Sequence, residues 1–387
     1  MTFSARLPPR VDANAISTAV ADLRARDVPF ADLTESNPTA VSLAYPADLL
    51  APLADRRALV YDPQPFGLWP ARTAIAADCA RRGARVDPES VVLAASTSES
   101  YSWLFKLLCS PGDAVAAPRP SYPLFEHLTR LEGIDLASYE LRYHGRWEID
   151  LDSLRRAPPT TRAVLIVSPN NPTGSYVSRR EVDAVMALCA ERRWALIADE
   201  VFADYALDEG APVTDLAAQA DVLAFTLGGA SKALGLPQVK LGWIVAGGPA
   251  AERTRALEAL ALVADTYLSV GTPVQVAAAA LLESGAAVRA AIHARVRANL
   301  DRARALIRRF PACEVYRVEG GWTAPIRVPA TRPEEDLVLD LLAAERVLVH
   351  PGYFFDFPHE AFIVVSLLTE QARFSEGLER TLARLNS

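Results

Sequence analysis

Basic side chains are plentiful in this 387-residue chain, 40 in all, yet only Lys106, Lys232 and Lys240 are lysine. A guanidinium stays protonated at any ordinary pH, whereas a desolvated primary amine loses its proton and attacks a carbonyl carbon. A lysine kept against that arginine background is a candidate nucleophile. Lys232 closes the run Gly228, Gly229, Ala230, Ser231, Lys232, and Lys240 follows within a tract that ends at Gly242.

Four other short stretches carry groups that suit one small polar ligand. Ser96, Thr97, Ser98 and Ser100 put four hydroxyls into five positions at the start of an expected helix, where free backbone N–H groups and the helix dipole favour an anion. An ordinary cap needs only one of them. Tyr122 follows Pro118 and Pro120 and offers a ring for stacking on a planar molecule. The turn Ser168 to Gly174 reads SPNNPTG, with prolines that fix its backbone and an asparagine amide free to donate. Asp199 and Glu200 end the apolar run Ala195 to Ala198, and a carboxylate buried there needs a cation or a proton donor.

Each of these stretches follows a short apolar run with the character of a strand buried on both faces. Val91 to Ala95, Ala114 to Ala117, Ala163 to Ser168, Ala195 to Asp199, Val222 to Leu227 and Trp243 to Ala246 are the expected strands. Tyr101 to Leu108 and Arg180 to Arg192 show helical spacing between them. This alternation predicts an α/β sheet, and ligand groups in open α/β sheets gather at the carboxyl ends of the strands. From about Ala250 to Phe310 the pattern turns to long Ala- and Arg-rich helix, followed by short strands near Val315, Ala324 to Val328 and Ile363 to Leu367. A second, smaller α+β domain is expected there.

Composition narrows the function classes. Net charge is −7 with both signs interspersed, so no basic stripe tracks a nucleic-acid backbone. No apolar run reaches the roughly 20 residues of a membrane span, and the first 30 residues carry Arg6, Arg10, Asp12, Asp22, Arg24, Arg26 and Asp27. The expectation is a cytoplasmic protein without a nucleic-acid or membrane partner. Cys79, Cys109, Cys189 and Cys313 lie far apart and the five histidines show no ligand spacing, so neither a metal site nor a disulfide framework is expected. No Gly-x-Gly-x-x-Gly turn or Walker loop follows the first strand. A phosphate cradle, a stacking ring, an amide donor, a buried carboxylate and a desolvated lysine together point to pyridoxal 5′-phosphate held as a Schiff base.

The chain resembles the fold type I pyridoxal phosphate enzymes, specifically the class I/II aminotransferases of the aspartate aminotransferase family. The resemblance rests on SPNNPTG at Ser168 to Gly174, Asp199 with Glu200, Ser231 and Lys232 with their glycine-rich tail, and VLVHPGY at Val347 to Tyr353. It implies a large domain with a mostly parallel seven-stranded sheet covered by helices, over residues 42–262. A smaller α+β domain over residues 263–387 would be joined by the N-terminal segment 1–41.

The activity implied is ping-pong transfer of an amino group from an amino acid or amine to a keto acid. Lys232 would be the aldimine lysine and proton carrier, and Asp199 the partner of the pyridinium nitrogen. Tyr122 would stack on the ring and Asn171 would hold the ring oxygen O3′. Ser96, Thr97, Ser98, Ser231 and Lys240 would bind the phosphate. Tyr61 resembles the tyrosine that reaches the neighbouring active site in a homodimer, and Asn37 belongs to a segment, Glu35 to Thr39, that covers the substrate.

Three departures stand out. Phe202 occupies the place of a tyrosine that donates to O3′ unless Tyr205 substitutes, and the loss of that donor implies a higher aldimine pKa. Gly229 sits where a serine often touches the phosphate. In FIVVSL, Phe362 to Leu367, the arginine expected two residues before Ser366 is Val364. Either Arg327 or Arg10 then binds a carboxylate, or the substrate lacks one there. That loss keeps a lyase or decarboxylase on the same scaffold as an alternative, with a non-catalytic cofactor-binding module behind it.

Overall fold

The computed structural model describes residues 3–8, 12–208, 214–359 and 361–386. Arg10 lies outside them. The central sheet has eight strands: β1 Val91–Ala94, β2 Ala114–Arg119, β3 Asp135–Tyr143, β4 Trp147–Ile149, β5 Thr161–Val167, β6 Ala195–Asp199, β7 Ala224–Gly229 and β8 Gly242–Gly247. Their order is β1-β8-β7-β6-β5-β2-β3-β4. Neighbours from β7 through β3 are parallel, β8 runs antiparallel to both β1 and β7, and β4 is antiparallel to β3.

The sheet therefore has one strand more than expected. The six strands read from apolar runs are all present, and β3 and β4 are the additions. β3 lies towards the sheet edge and mixes exposed with buried positions, so its sequence DLASYELRY shows no continuous apolar run. The interior strands β6, β7 and β8 do, with every residue buried, as strands with helices on both faces must be, and so does β1 at the other end of the sheet. Parallel pairing places the carboxyl ends of β2, β5, β6 and β7 along one edge, and the reversed β8 brings its first residue, Gly242, to that edge beside Ala94 and Gly229.

The helices after these strands begin with side-chain caps. Ser96 caps Thr97–Leu108 through the Glu99 N–H, and Ser178 with Glu181 forms a reciprocal capping box on Arg179–Arg192, which satisfies backbone donors that a helix start leaves open. The long helical tract resolves into Ala250–Tyr267, Thr272–Ser284 and Ala286–Ile307. The first of these runs unbroken through position 262 and buries Ala256, Leu260 and Ala264 in the same apolar cluster as Ile244 of the central sheet.

A second, antiparallel sheet is built from β9 Glu314–Val315, β10 Thr323–Arg327, β11 His350–Pro351 and β12 Phe362–Ser366, in the order β9-β10-β12-β11. The N-terminal segment is tied to it. Ala31–Asp32 pairs in parallel with Val347–Leu348, and the Ser366 backbone N–H donates to the Leu33 carbonyl at 2.6 Å. The Ser366 hydroxyl donates to the Glu35 carbonyl at 2.6 Å. These bonds hold Thr34 and Ser36 over the carboxyl edge of the central sheet, where both line a cleft.

Among the described residues no single helix is long and apolar enough to cross a membrane. Thr272–Ser284 and Ala286–Ile307 pass that test only as a pair bent by 53°, and their apolar residues Ala277, Leu281, Val288 and Ile292 are buried in the core.

Candidate active site

Asp199, the last residue of β6, is buried at the floor of the cleft between Val167 of β5 and Leu227 of β7. Its Oδ2 accepts a 2.6 Å hydrogen bond from the Tyr101 hydroxyl and its Oδ1 a 3.1 Å bond from the Val201 N–H. Burial pushes its pKa up, while these two donors and the charge of Lys232 pull it down. Tyr101 is fully buried, and burial together with the Asp199 charge holds its hydroxyl far above the usual phenol range. It therefore remains a donor.

Lys232 enters from the short helix Ala230–Ala233 that follows β7. Its Nζ lies 4.9 Å from the ring centroid of Trp322 and 5.5 Å from that of Phe202. Burial lowers its pKa and the Asp199 charge opposes the shift. The consequence is an amine that gives up its proton more readily than a surface lysine, in a cleft able to admit a carbonyl compound.

The rest of the cleft collects residues from distant parts of the chain. Thr97 and Ser98 open the helix after β1, Ser231 precedes the lysine, and Tyr122 and Asn171 come from the loops after β2 and β5. The Thr323 hydroxyl of β10 donates to the Pro172 carbonyl at 3.0 Å and lies 3.4 Å from Asn171 Oδ1, which ties β10 to the turn that carries Asn171.

Seven of the residues expected at the site, Thr97, Ser98, Tyr122, Asn171, Asp199, Ser231 and Lys232, thus line one cavity. The other five, Ser96, Lys240, Asn37, Arg327 and Tyr61, do not line it. Ser96 spends its hydroxyl on the helix cap, accepting from the Glu99 N–H at 3.2 Å. Lys240 is exposed, in a left-handed conformation at the turn into Leu241. Asn37 is exposed and accepts from the Thr39 N–H and hydroxyl at 3.0 and 2.8 Å, while Thr34 and Ser36 of the same segment face the cleft. Arg327 is on the outer side of β10, exposed and paired with Glu314 at 3.2 Å.

Tyr61 is 74% exposed and lines a separate groove with Gly67, Trp103 and Leu268. Tyr205 is buried with its hydroxyl donating to the Lys232 carbonyl at 2.6 Å, so it anchors the lysine backbone and does not supply the donor that Phe202 lacks. Val364 is fully buried in an apolar cluster with Phe355 and Phe362.

Several cleft residues carried no expectation, Tyr101, Trp322 and His350 among them. Tyr101 lies one turn beyond Thr97, on the same helix face, and that spacing was its only sequence signal. Trp322 and His350 come from the smaller sheet, far from the motifs along the chain. Burial pulls the His350 pKa down to about 4 against the smaller opposite effect of Asp32, which keeps the ring neutral.

Pyridoxal phosphate fits these residues. A Cβ on Gly242 would lie 2.9 Å from the Ser96 carbonyl carbon and 3.2 Å from the Thr97 nitrogen, so only glycine lets β8 pass under the turn that presents Thr97 and Ser98. A backbone so shaped, at the positive end of a 12-residue helix, suits a phosphate. Asp199, buried and acidic, suits a protonated ring nitrogen.

Fold and site together define a pyridoxal phosphate enzyme of the aminotransferase type, and comparison with known proteins agrees. The family model for aminotransferase class I and II matches residues 59–379. The chain belongs to that family, whose members depend on pyridoxal phosphate and transfer amino groups. It is 27% identical over 329 residues to the glutamate-pyruvate aminotransferase AlaA of Escherichia coli K12, covering 80% of this chain and 81% of AlaA. It is 28% identical over 306 residues to an alanine aminotransferase of Mycobacterium tuberculosis H37Rv, covering 76% and 71%. In fold it is similar to a crystal structure of an aminotransferase from E. coli, with a TM-score of 0.88, 24% identity and coverage of 100% and 98%.

Proposed function

We propose that Lys232 is the amine through which this chain exchanges an amino group between an amino acid or amine and a keto acid, in two half-reactions. The observation that carries this reading is the pairing of a buried lysine of lowered pKa with a buried acid in one cleft. When bound, pyridoxal phosphate supplies an aldehyde and an electron-withdrawing ring.

The protein's own groups do the rest. Asp199, oriented by Tyr101 and the Val201 N–H, keeps a proton on the ring nitrogen. Tyr122 would pack on the ring and the Asn171 NH₂ would donate to its oxygen O3′, both from the cleft lining. Thr97, Ser98 and Ser231, which line the cleft, would hold the phosphate, and the charge of Lys240 would help to balance it. With the cofactor bound, Lys232 Nζ would be the group that moves a proton to and from the substrate Cα. Borohydride reduction of the cofactor-loaded protein followed by peptide mapping should label Lys232. A label on Lys106 or Lys240 would sink the assignment.

The same reading makes the protein a homodimer. Leu59, Val60 and Tyr61 are 82%, 66% and 74% exposed, and Tyr267 and Leu268 beside the Tyr61 groove are exposed as well. A contiguous apolar surface of this kind favours burial against a second copy, which would let Tyr61 reach that copy's phosphate. Sedimentation should give twice 41.8 kDa. The chain divides in this view into the N-terminal segment and smaller sheet on one side and the central sheet on the other. Its four cysteines are free, in keeping with a cytoplasmic location, which cell fractionation tests.

A further inference from the structure

The cleft has to hold whatever the substrate carries besides its amine, and it does so without a guanidinium. Among the described residues that line it, Lys232 is the single cationic side chain, and that amine is committed to the chemistry. His350 is neutral, and Val364, where an arginine was expected, faces an apolar cluster.

Trp322 is different from every other residue of the lining. It is only 2% exposed, its ring lines the cleft, and its Nε1–H is buried without an acceptor in the protein. An indole nitrogen can only donate, and leaving a buried donor unpaired costs about 1–3 kcal/mol. Trp147 Nε1 is also unpaired, but it is packed among Tyr143, Tyr316 and Phe357 and does not line this cleft.

The position of the indole matters as much as its open donor. The Trp322 carbonyl accepts from the Leu367 N–H at 2.7 Å, and Thr323 pairs with Ser366. Trp322 therefore sits at the end of β12, the strand whose Val364 replaces the expected cation. Its ring centroid is 4.9 Å from Lys232 Nζ, which sets the indole beside the amine the reaction uses. The opposite wall is apolar, with Leu124, Phe125, Leu128 and Phe355.

We propose that the Trp322 Nε1–H hydrogen-bonds the α-carboxylate of an amino acid with an apolar side chain, where a guanidinium would otherwise bind it. This inference rests on the reading of Lys232 given above and names the substrate class for that site. The partner is a single carboxylate, and the lining offers no second cation for a dicarboxylic side chain.

The test uses the holoenzyme and two unreactive probes, 3-phenylpropionate and 3-phenylpropanol, titrated against the unsubstituted protein and Trp322→Phe. Loss of a hydrogen bond to a charged group should weaken the acid by about tenfold or more and leave the alcohol within twofold. In the unsubstituted holoenzyme labelled with ¹⁵N-indole, one of the six tryptophan N–H signals should move downfield with the acid and not with the alcohol. That signal should survive substitution of each of the other five tryptophans. This measurement stands even if Trp322→Phe fails to fold.

Four results overturn the proposal: unchanged affinity for the acid in Trp322→Phe, equal loss for both probes, an indole signal indifferent to the acid, or a shifted spectroscopic pKa of the ligand-free holoenzyme with acid affinity intact. The last would hand the donor to the cofactor ring oxygen. Neither readout needs turnover, so a failure here is separable from failure of the aminotransferase reading, which would show as inertness of the unsubstituted enzyme towards every amino donor.

Discussion

Asp199 and Glu200 are consecutive, both acidic and both buried, yet they belong to different parts of the molecule. Asp199 faces the cleft. Glu200 faces backwards, where its carboxylate accepts from the backbone N–H groups of Asp215 and, at 2.9 Å, Leu216. Around it Arg82 bridges Asp215 at 2.8 Å and Asp78 at 3.0 Å, and Arg289, from the helix Ala286–Ile307, reaches Asp78 and Asp204, each at 3.5 Å. Arg81 pairs with the same two aspartates. Three guanidinium groups thus balance three aspartates, and Glu200 is the surplus acid. Burial and the Asp215 charge push its pKa well above the usual carboxylate range.

The rear cluster completes its own electrostatics with protein groups and ties the central sheet to the long helix. The cleft leaves Asp199 and Lys232 to be completed by a ligand. A buried charge that the fold closes by itself serves stability, and one it leaves open serves chemistry.

Exchanging each acid for its amide separates the two roles. Asp199→Asn keeps the acceptor for the Val201 N–H and presents an NH₂ to the Tyr101 oxygen, so the fold should persist with little change in Tm. Activity should fall by about 10²–10³-fold, the scale of losing one preorganised electrostatic group, as read from kcat/KM. A large drop in Tm without loss of activity would invert the comparison. Glu200→Gln has the opposite signature. A glutamine offers one acceptor oxygen where two N–H donors converge, and the orphaned donor should cost about 1–3 kcal/mol in denaturant unfolding. Activity per folded molecule should stay within a factor of about three.

This division was half visible in the amino-acid sequence. Lys232, Asp199, Asn171 and Thr97 were legible because each follows an apolar strand, and parallel strands deliver such residues to one edge. The missing Tyr101 contact depended on helix phase, which sets which side of Thr97–Leu108 meets Asp199. Trp322 and His350 were hidden because they reach the cleft through a second sheet whose pairing no local pattern reveals. Asn37 and Arg327 show the converse: residue type suggested a role, but a local turn and an exposed Glu314 decide where their side chains go. β3 was missed because its half-exposed face breaks up any continuous apolar run.

The smallest effect concerns His350, which lies between the two regions on β11, paired with Val364 and packed on Phe354 and Phe355 with ring centroids 5.9 and 5.5 Å away. Its pKa is about 4 in the folded protein against 6.5 ordinarily. Between these values the unfolded chain holds a proton that the folded chain refuses, so this residue makes stability rise with pH from 4 to 6.5 and contributes no slope above that window. A shift of this size sets a ceiling of about 3 kcal/mol, and partial exposure of the ring should screen it to about 1 kcal/mol. His350→Asn removes the titrating group, so unfolding curves at pH 4.5 and 7 should differ less for the variant than for the unsubstituted protein. Asp199, with its pKa raised by burial, works with the reverse sign, since the folded chain then binds the proton more tightly and loses stability as pH climbs through that pKa. Equal pH dependence in the His350→Asn protein would mean that the ring is hydrated in solution, and that the cleft wall formed by Phe355 admits water where the apolar side chain of a substrate should pack.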